Sequence, residues 1–153
     1  MEDACDNNNI GYDQLERNSL YTEAKKVGLD MSKISTPCEC DCSSLVSICC
    51  ICAGLPESYF YHGNMCTTYT LRDACLSTGK FSALTDNKYL TQKDYLKRGD
   101  ILLNETQHVV VVLADGQKVE NNVIKPTEID VNNNALSTSY LVKITAKTLN
   151  VRS

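Results

Sequence analysis

The sequence predicts an α+β fold, with helices first along the chain and an antiparallel β-sheet after them. Apolar residues recur at helical spacing in the N-terminal half, whereas short runs rich in Val, Ile and Leu alternate with turn residues in the C-terminal half. The chain has 153 residues, of which 42% are hydrophobic and 22% charged, which is typical of one globular domain.

The strongest helix candidate covers residues 42–53, and Gly54 is expected to end it. A helical stripe at i, i+3, i+4 and i+7 is formed by Leu45, Ile48, Cys49 and Cys52. A short helix near the N-terminus is also expected. Further helices are expected within residues 14–27 and 64–78, with a loop at 28–41.

Four strands are expected in the C-terminal half. They cover residues 101–103, 108–113, 118–124 and 140–145. The dipeptide Asp115-Gly116 lies between the second and third of these segments and is a strong signal for a tight hairpin. The sheet is therefore expected to be antiparallel.

The net charge of −4 makes nucleic acid and anionic membranes poor candidates as partners, because phosphate binding requires clustered Lys and Arg. No run approaches the roughly 18 apolar residues of a membrane span. The acidic start Met1-Glu2-Asp3 is unlike a secretory signal. We therefore expect a monomer that binds neither nucleic acid nor membrane. We also expect it to be made in the cytoplasm and released, unless truncation has removed a signal.

Nine cysteines are present, six of them between Cys38 and Cys52. This crowding is unlike a secreted disulfide scaffold, so reduced thiols are expected. The spacings Cys38-x-Cys40 and Cys49-x-x-Cys52 leave a metal site open as an alternative. Cysteines on an apolar helix face are commonly core residues, so neither a metal nor a cofactor is expected.

Cys42 is the best candidate for a nucleophile, because it stands where a loop or strand meets an apolar helix. A helix N-terminus and a nearby imidazole both favour the thiolate. The chain has two histidines. His108 opens a predicted strand and so has a rigid mount, whereas His62 lies in the loop 59–64. His108 is therefore the preferred base.

A third group is expected to orient the imidazole of His108. A hairpin at Asp115-Gly116 returns Glu120 beside His108, and the period-two alternation of strands puts both side chains on one sheet face. Glu120 is the preferred orienting group. The side chain of Asn122 is expected on the same sheet face, so Asn122 is the alternative.

Three motifs in order give the chain a family resemblance. They are Asp41-Cys42-Ser43-Ser44-Leu45-Val46, Gly99-Asp100-Ile101-Leu102-Leu103, and His108 followed by Asp115-Gly116. Two more segments add to it, Gly11-Tyr12-Asp13-Gln14 and Gly63-Asn64-Met65. Together they resemble the NlpC-type cysteine peptidoglycan hydrolases, and in particular phage endolysins of clostridial type.

The resemblance implies a papain-like α+β fold and cleavage of an amide bond in bacterial peptidoglycan. Cys42 matches the nucleophile and His108 the base, while Glu120 occupies a third position that is usually His, Asn or Gln. The substrate-binding positions are matched by Tyr12, Asp41 and Ser43. The bond is either γ-D-glutamyl–diamino acid, cut by an endopeptidase, or N-acetylmuramoyl–L-alanine, cut by an amidase.

Residues 1–145 are assigned to this catalytic domain. Residues 146–153 are read as a linker or as the start of a truncated bacterial SH3-like wall-binding domain. Two alternatives remain for the function. One is a metal-binding module built on the cysteine cluster, and the other is a catalytically inactive wall-binding module.

Overall fold

The computed structural model describes residues 1–117 and the backbone of one later strand, Leu141–Ala146. The predicted α+β class is confirmed. The helices are α1 (Glu2–Asp6), α2 (Ser19–Lys26), α3 (Cys42–Cys52), α4 (Thr68–Ser77) and α5 (Asn87–Thr91). The strands are β1 (Ile10–Tyr12), β2 (Cys38–Cys40), β3 (Phe81–Leu84), β4 (Ile101–Asn104), β5 (His108–Val111) and β6 (Leu141–Ala146).

The larger sheet has four antiparallel strands in the order β3-β6-β4-β5. Strands β4 and β5 form a hairpin in which Asn104 stands opposite His108. The face that carries Phe81, Leu103 and Val109 is buried. The helix α3 packs against β5, and α4 packs against β3 and β4. One core therefore lies between the sheet and these two helices.

A second sheet consists of β1 and β2, which pair in parallel with Ile10 opposite Cys38 and Tyr12 opposite Cys40. The interpretation of residues 28–41 as a loop was therefore wrong for β2. Strands of three residues have almost no local signal, and this pairing joins positions 28 residues apart. The pair matters for the site because β2 runs through Asp41 directly into α3.

The helix α3 was predicted with nearly correct bounds, and Gly54 follows it with a positive φ of 88°. Its buried face was predicted less well. Leu45, Cys49 and Cys52 are only half-buried, whereas three serines are buried together with the apolar residues. The buried positions are Ser43, Ser44, Val46, Ser47, Ile48, Cys50 and Ile51. Small hydroxyl side chains are tolerated there because each finds a partner within its own turn, as Ser47 Oγ does at the Ser43 carbonyl 2.8 Å away.

Several boundaries differ from the expectations. The helix expected within 14–27 begins only at Ser19, and the one within 64–78 begins at Thr68. The elements β3 and α5 were not predicted, whereas β6 was. The expected strand at 118–124 lies outside the described residues.

Strand β5 ends at Val111, so no two-residue turn at Asp115-Gly116 directly follows it. The two residues instead lie against an earlier segment. The Asp115 carboxylate accepts the Arg98 N–H at 2.6 Å, and the Gly116 N–H donates to the Leu96 carbonyl at 2.7 Å. No helix within the described residues has the length and apolar character needed to cross a membrane.

Candidate functional site

Cys42 is the first residue of α3 and lies immediately after an N-cap built by Asp41. The Asp41 carboxylate accepts the Ser44 N–H at 2.7 Å, and the Asp41 N–H donates to Ser44 Oγ at 2.8 Å. This reciprocal capping box fixes the direction in which the helix begins. The thiol of Cys42 is half-buried and free, and it lies at the positive end of the helix dipole.

Arg17 holds the residues on both sides of Cys42. Its Nε forms an ion pair with the Asp41 carboxylate, and its Nη2 donates to Ser43 Oγ at 3.1 Å. The same guanidinium donates to the Cys66 carbonyl at 2.7 Å and to the Met65 carbonyl at 3.4 Å. Ser43 Oγ donates in turn to Asp41 at 3.0 Å. Sequence reasoning missed Arg17, because its contacts join positions that are 24 to 49 residues apart in the chain.

The Asp41 carboxyl is charged at neutral pH. Burial raises its pKa, but the hydrogen bonds from Arg17 and Ser44 outweigh this, so the pKa lies below its ordinary value of 3.8. The carboxylate already accepts from Arg17, Ser43 and Ser44. The amine of a substrate would have to compete with these donors, and Ser43 is itself buried.

His108 is the first residue of β5, and its side chain is exposed. The alternation along β5 puts His108 and Val110 on the face opposite the buried Val109. Because β5 packs against α3, the elements that carry His108 and Cys42 are neighbours, but His108 itself lies on the strand face opposite the buried one. Among the described residues neither side chain forms a hydrogen bond, so their direct pairing stays a prediction.

The other predicted site residues are placed as follows. Tyr12 ends β1 opposite Cys40 and is 57% exposed, so its ring is available to a ligand. Glu120 and Asn122 lie outside the described residues. The alternative base His62 lies on an open groove of about 530 Å³. Met65 and Cys66, whose carbonyls accept from Arg17, line the same groove.

The remaining cysteines differ from Cys42 in their surroundings. All nine are free thiols. Burial raises the pKa of Cys40 to about 12 and that of Cys52 to about 11. The pKa is also raised at Cys38, Cys49 and Cys66 by burial, and at Cys50 by a hydrogen bond to Cys75 and by burial. These six thiols are disfavoured as nucleophiles.

The metal-binding alternative concerns how possible ligand side chains are arranged in the described part of the chain. No group of three or more His, Cys, Asp or Glu side chains there has the arrangement needed to hold a metal ion. The sulfurs of Cys38 and Cys40 instead donate to the carbonyls of Asn9 and Gly11, at 3.6 and 3.5 Å. The thiols of β2 therefore strengthen the small parallel sheet.

Comparison with known families identifies the class of the domain. Residues 1–119 match the model of the endolysin-like domain, and the chain belongs to this family. It therefore carries an endolysin-type cell-wall hydrolase domain, whose substrate is peptidoglycan. No curated protein and no solved structure matches the chain.

Proposed function

We propose that this protein is an NlpC-type cysteine hydrolase that cleaves an amide bond of the peptidoglycan stem with Cys42 as nucleophile. One observation carries the proposal. Cys42 is a free, half-buried thiol at the first position of a capped helix in an endolysin-type domain. A thiol in this position faces the positive end of the helix dipole and can reach a substrate carbonyl.

In the proposed mechanism His108 takes the proton of the Cys42 thiol, and the thiolate attacks the carbonyl carbon of the scissile amide. Among the described residues the backbone N–H of Cys42 has no acceptor, so it is available to bind the oxyanion. Collapse of the tetrahedral intermediate breaks the C–N bond, and the imidazolium gives its proton to the leaving amine. A water molecule, deprotonated by His108, then hydrolyses the thioester and regenerates the thiol.

Glu120 is proposed to orient the imidazole, with Asn122 as the alternative. A carboxylate accepts from the imidazole N–H and stabilises the imidazolium more than an amide does. Tyr12 is proposed to line the substrate cleft, in keeping with its exposed ring. The catalytic domain is proposed to end at residue 145, with residues 146–153 as a linker or the start of a wall-binding domain.

The test is digestion of purified clostridial-type peptidoglycan by the wild type and by Cys42→Ala, with mass spectrometry of the soluble fragments. Cys5→Ala is the matched control, because Cys5 is an exposed thiol on α1 and not on the helix that Cys42 begins. The proposal predicts fragments from the wild type and the control but none from Cys42→Ala. Intact stem peptides identify an amidase, and cut stems identify an endopeptidase.

Undiminished digestion by Cys42→Ala would refute the thiol mechanism. An absence of fragments from the wild type on several wall types, together with retained binding to the wall, would instead favour a catalytically inactive wall-binding module. The fold of Cys42→Ala should be checked by circular dichroism, to show that its loss of activity does not result from unfolding.

A further inference from the structure

We propose that Arg17 is a positioning residue, which fixes the nucleophile by holding both of its neighbours in the chain. The inference rests on the proposed role of Cys42. Arg17 lies between β1 and α2, 24 positions before Asp41, and no part of the reaction described above uses it. Its guanidinium nevertheless contacts the residue before Cys42 and the residue after it.

The contacts of Arg17 join three separate segments of the chain. The guanidinium donates to the Asp41 and Ser43 side chains at the start of α3 and to the carbonyls of Met65 and Cys66 ahead of α4. The side chain of Arg17 is 19% exposed and that of Asp41 is 12% exposed. An ion pair this well shielded is screened little by solvent and holds a defined geometry.

The geometry requires arginine rather than a general cation. A guanidinium presents its N–H donors in a planar fork, which here serves two side chains and two backbone carbonyls at once. A lysine ammonium is a compact point charge with three donors, and it cannot span these acceptors. The substitution Arg17→Lys keeps the positive charge but removes the planar set of donors. It therefore distinguishes the effect of the charge from the effect of the hydrogen bonds.

The arrangement has an electrostatic consequence for Cys42. A carboxylate next to the thiol opposes formation of a second negative charge there. The guanidinium neutralises Asp41, so the N-cap keeps its hydrogen bonds without that repulsion. In addition, Met65 and Cys66 line the groove of about 530 Å³, so Arg17 also sets the distance between Cys42 and one wall of that groove.

The test compares Arg17→Met and Arg17→Lys with the wild type by two readouts. The first is the rate at which iodoacetamide alkylates each cysteine, resolved by mass spectrometry, which requires no wall substrate. Cys5 is an exposed internal reference, and Cys75 is a buried one that Arg17 does not contact. The second is the hydrolysis of peptidoglycan, separated into the maximal rate and the half-saturating amount of wall. Arg98→Met is the matched control, since Arg98 forms an exposed ion pair with Glu2.

For Arg17→Met we expect Cys42 to be alkylated about threefold to fivefold more slowly relative to Cys5. We expect the maximal rate of hydrolysis to fall by about tenfold to a hundredfold. The half-saturating amount of wall should not change, and the buried Cys75 should stay protected. For Arg17→Lys we expect the alkylation rate to recover while hydrolysis recovers only in part. Arg98→Met should leave both readouts unchanged.

Two results would overturn the inference. One is an Arg17→Met protein whose alkylation and hydrolysis equal those of Arg98→Met. The other is faster labelling of the buried Cys75 in step with the loss of activity in both Arg17 variants, which would mean that Arg17 only stabilises the fold. A wild type that digests no wall would refute the proposed function, whereas the alkylation comparison would still decide the role of Arg17.

Discussion

Replacement of Asp41 by alanine tests how the start of α3 is stabilised. Loss of an N-cap costs about 1 kcal/mol. Removing one partner of a fully buried ion pair costs about 3–5 kcal/mol. Arg17 is 19% exposed and keeps three other acceptors, so we expect the loss of its ion pair with Asp41 to cost only about 1–2 kcal/mol. We therefore expect Asp41→Ala to lower the free energy of unfolding by about 2–3 kcal/mol, which is about 4–12 °C in Tm.

The assay is urea unfolding followed by circular dichroism, with Asp41→Asn as the matched variant. Asparagine caps a helix as well as aspartate does, so Asp41→Asn loses only the ion pair and should cost about 1–2 kcal/mol. A cost below about 0.5 kcal/mol for Asp41→Ala, the usual range of surface changes, would refute the reasoning. So would equal costs for the two variants.

The lowered pKa of Asp41 predicts how the stability of the fold depends on pH. The pKa of Asp41 is lowered in the folded protein, so its contribution is fully present above the ordinary pKa of 3.8 and is lost as the pH falls through the lowered value. The difference in stability between the wild type and Asp41→Ala should therefore be constant near neutral pH and shrink below the ordinary pKa. A difference that stays constant into that acidic range would contradict the assignment.

Two further predictions concern the core and the other thiols. Leu71→Ala removes a fully buried side chain from α4 and should cost about 2–5 kcal/mol in urea unfolding, whereas Leu15→Ala, at a 96% exposed position, should cost less than about 0.5 kcal/mol. Similar costs for both would contradict the described core. Cys40, with its pKa raised to about 12, should be alkylated far more slowly than the exposed Cys5 at mildly alkaline pH, and urea should remove the difference. Equal rates in the folded protein would contradict its burial.

Local sequence patterns predicted the parts of the fold that depend on neighbouring residues. The helix α3 follows from an apolar run that ends at Gly54, and the strands β4 and β5 follow from runs rich in Val, Ile and Leu that turn residues separate. The strand β6 was predicted in the same way. These elements decide the α+β class, and for that reason the class could be predicted.

The missed features depend on partners far away in the chain. The parallel pairing of β1 with β2 has only three residues on each side, and neither segment looks like a strand alone. A pattern of hydrophobic periodicity treats the serines of α3 as polar and so places them on the exposed face. They are buried because their hydroxyl groups find partners locally, as Ser47 does within the helix. Such pairings are decided by tertiary packing, which a local pattern does not contain.

In the candidate site, too, local features could be predicted and long-range contacts could not. The position of Cys42 at the start of a helix could be predicted because a helix start is a local feature, and so could the strand that begins at His108. Arg17 could not, because its contacts with Asp41 and with the carbonyls of Met65 and Cys66 exist only in the folded chain. The role predicted for Glu120 stays a prediction, because Glu120 lies outside the described residues.

The most direct measurement of the central claim is a search for the covalent intermediate on Cys42. The protein is mixed briefly with soluble peptidoglycan fragments, quenched in acid to preserve a thioester, and digested for peptide mass spectrometry. The account predicts an adduct with the mass of the acyl part of the cleaved amide on the peptide that contains Cys42, and no adduct on Cys5 or in Cys42→Ala. Cleavage of the fragments with no adduct at any time, together with full activity of Cys42→Ala, would contradict it.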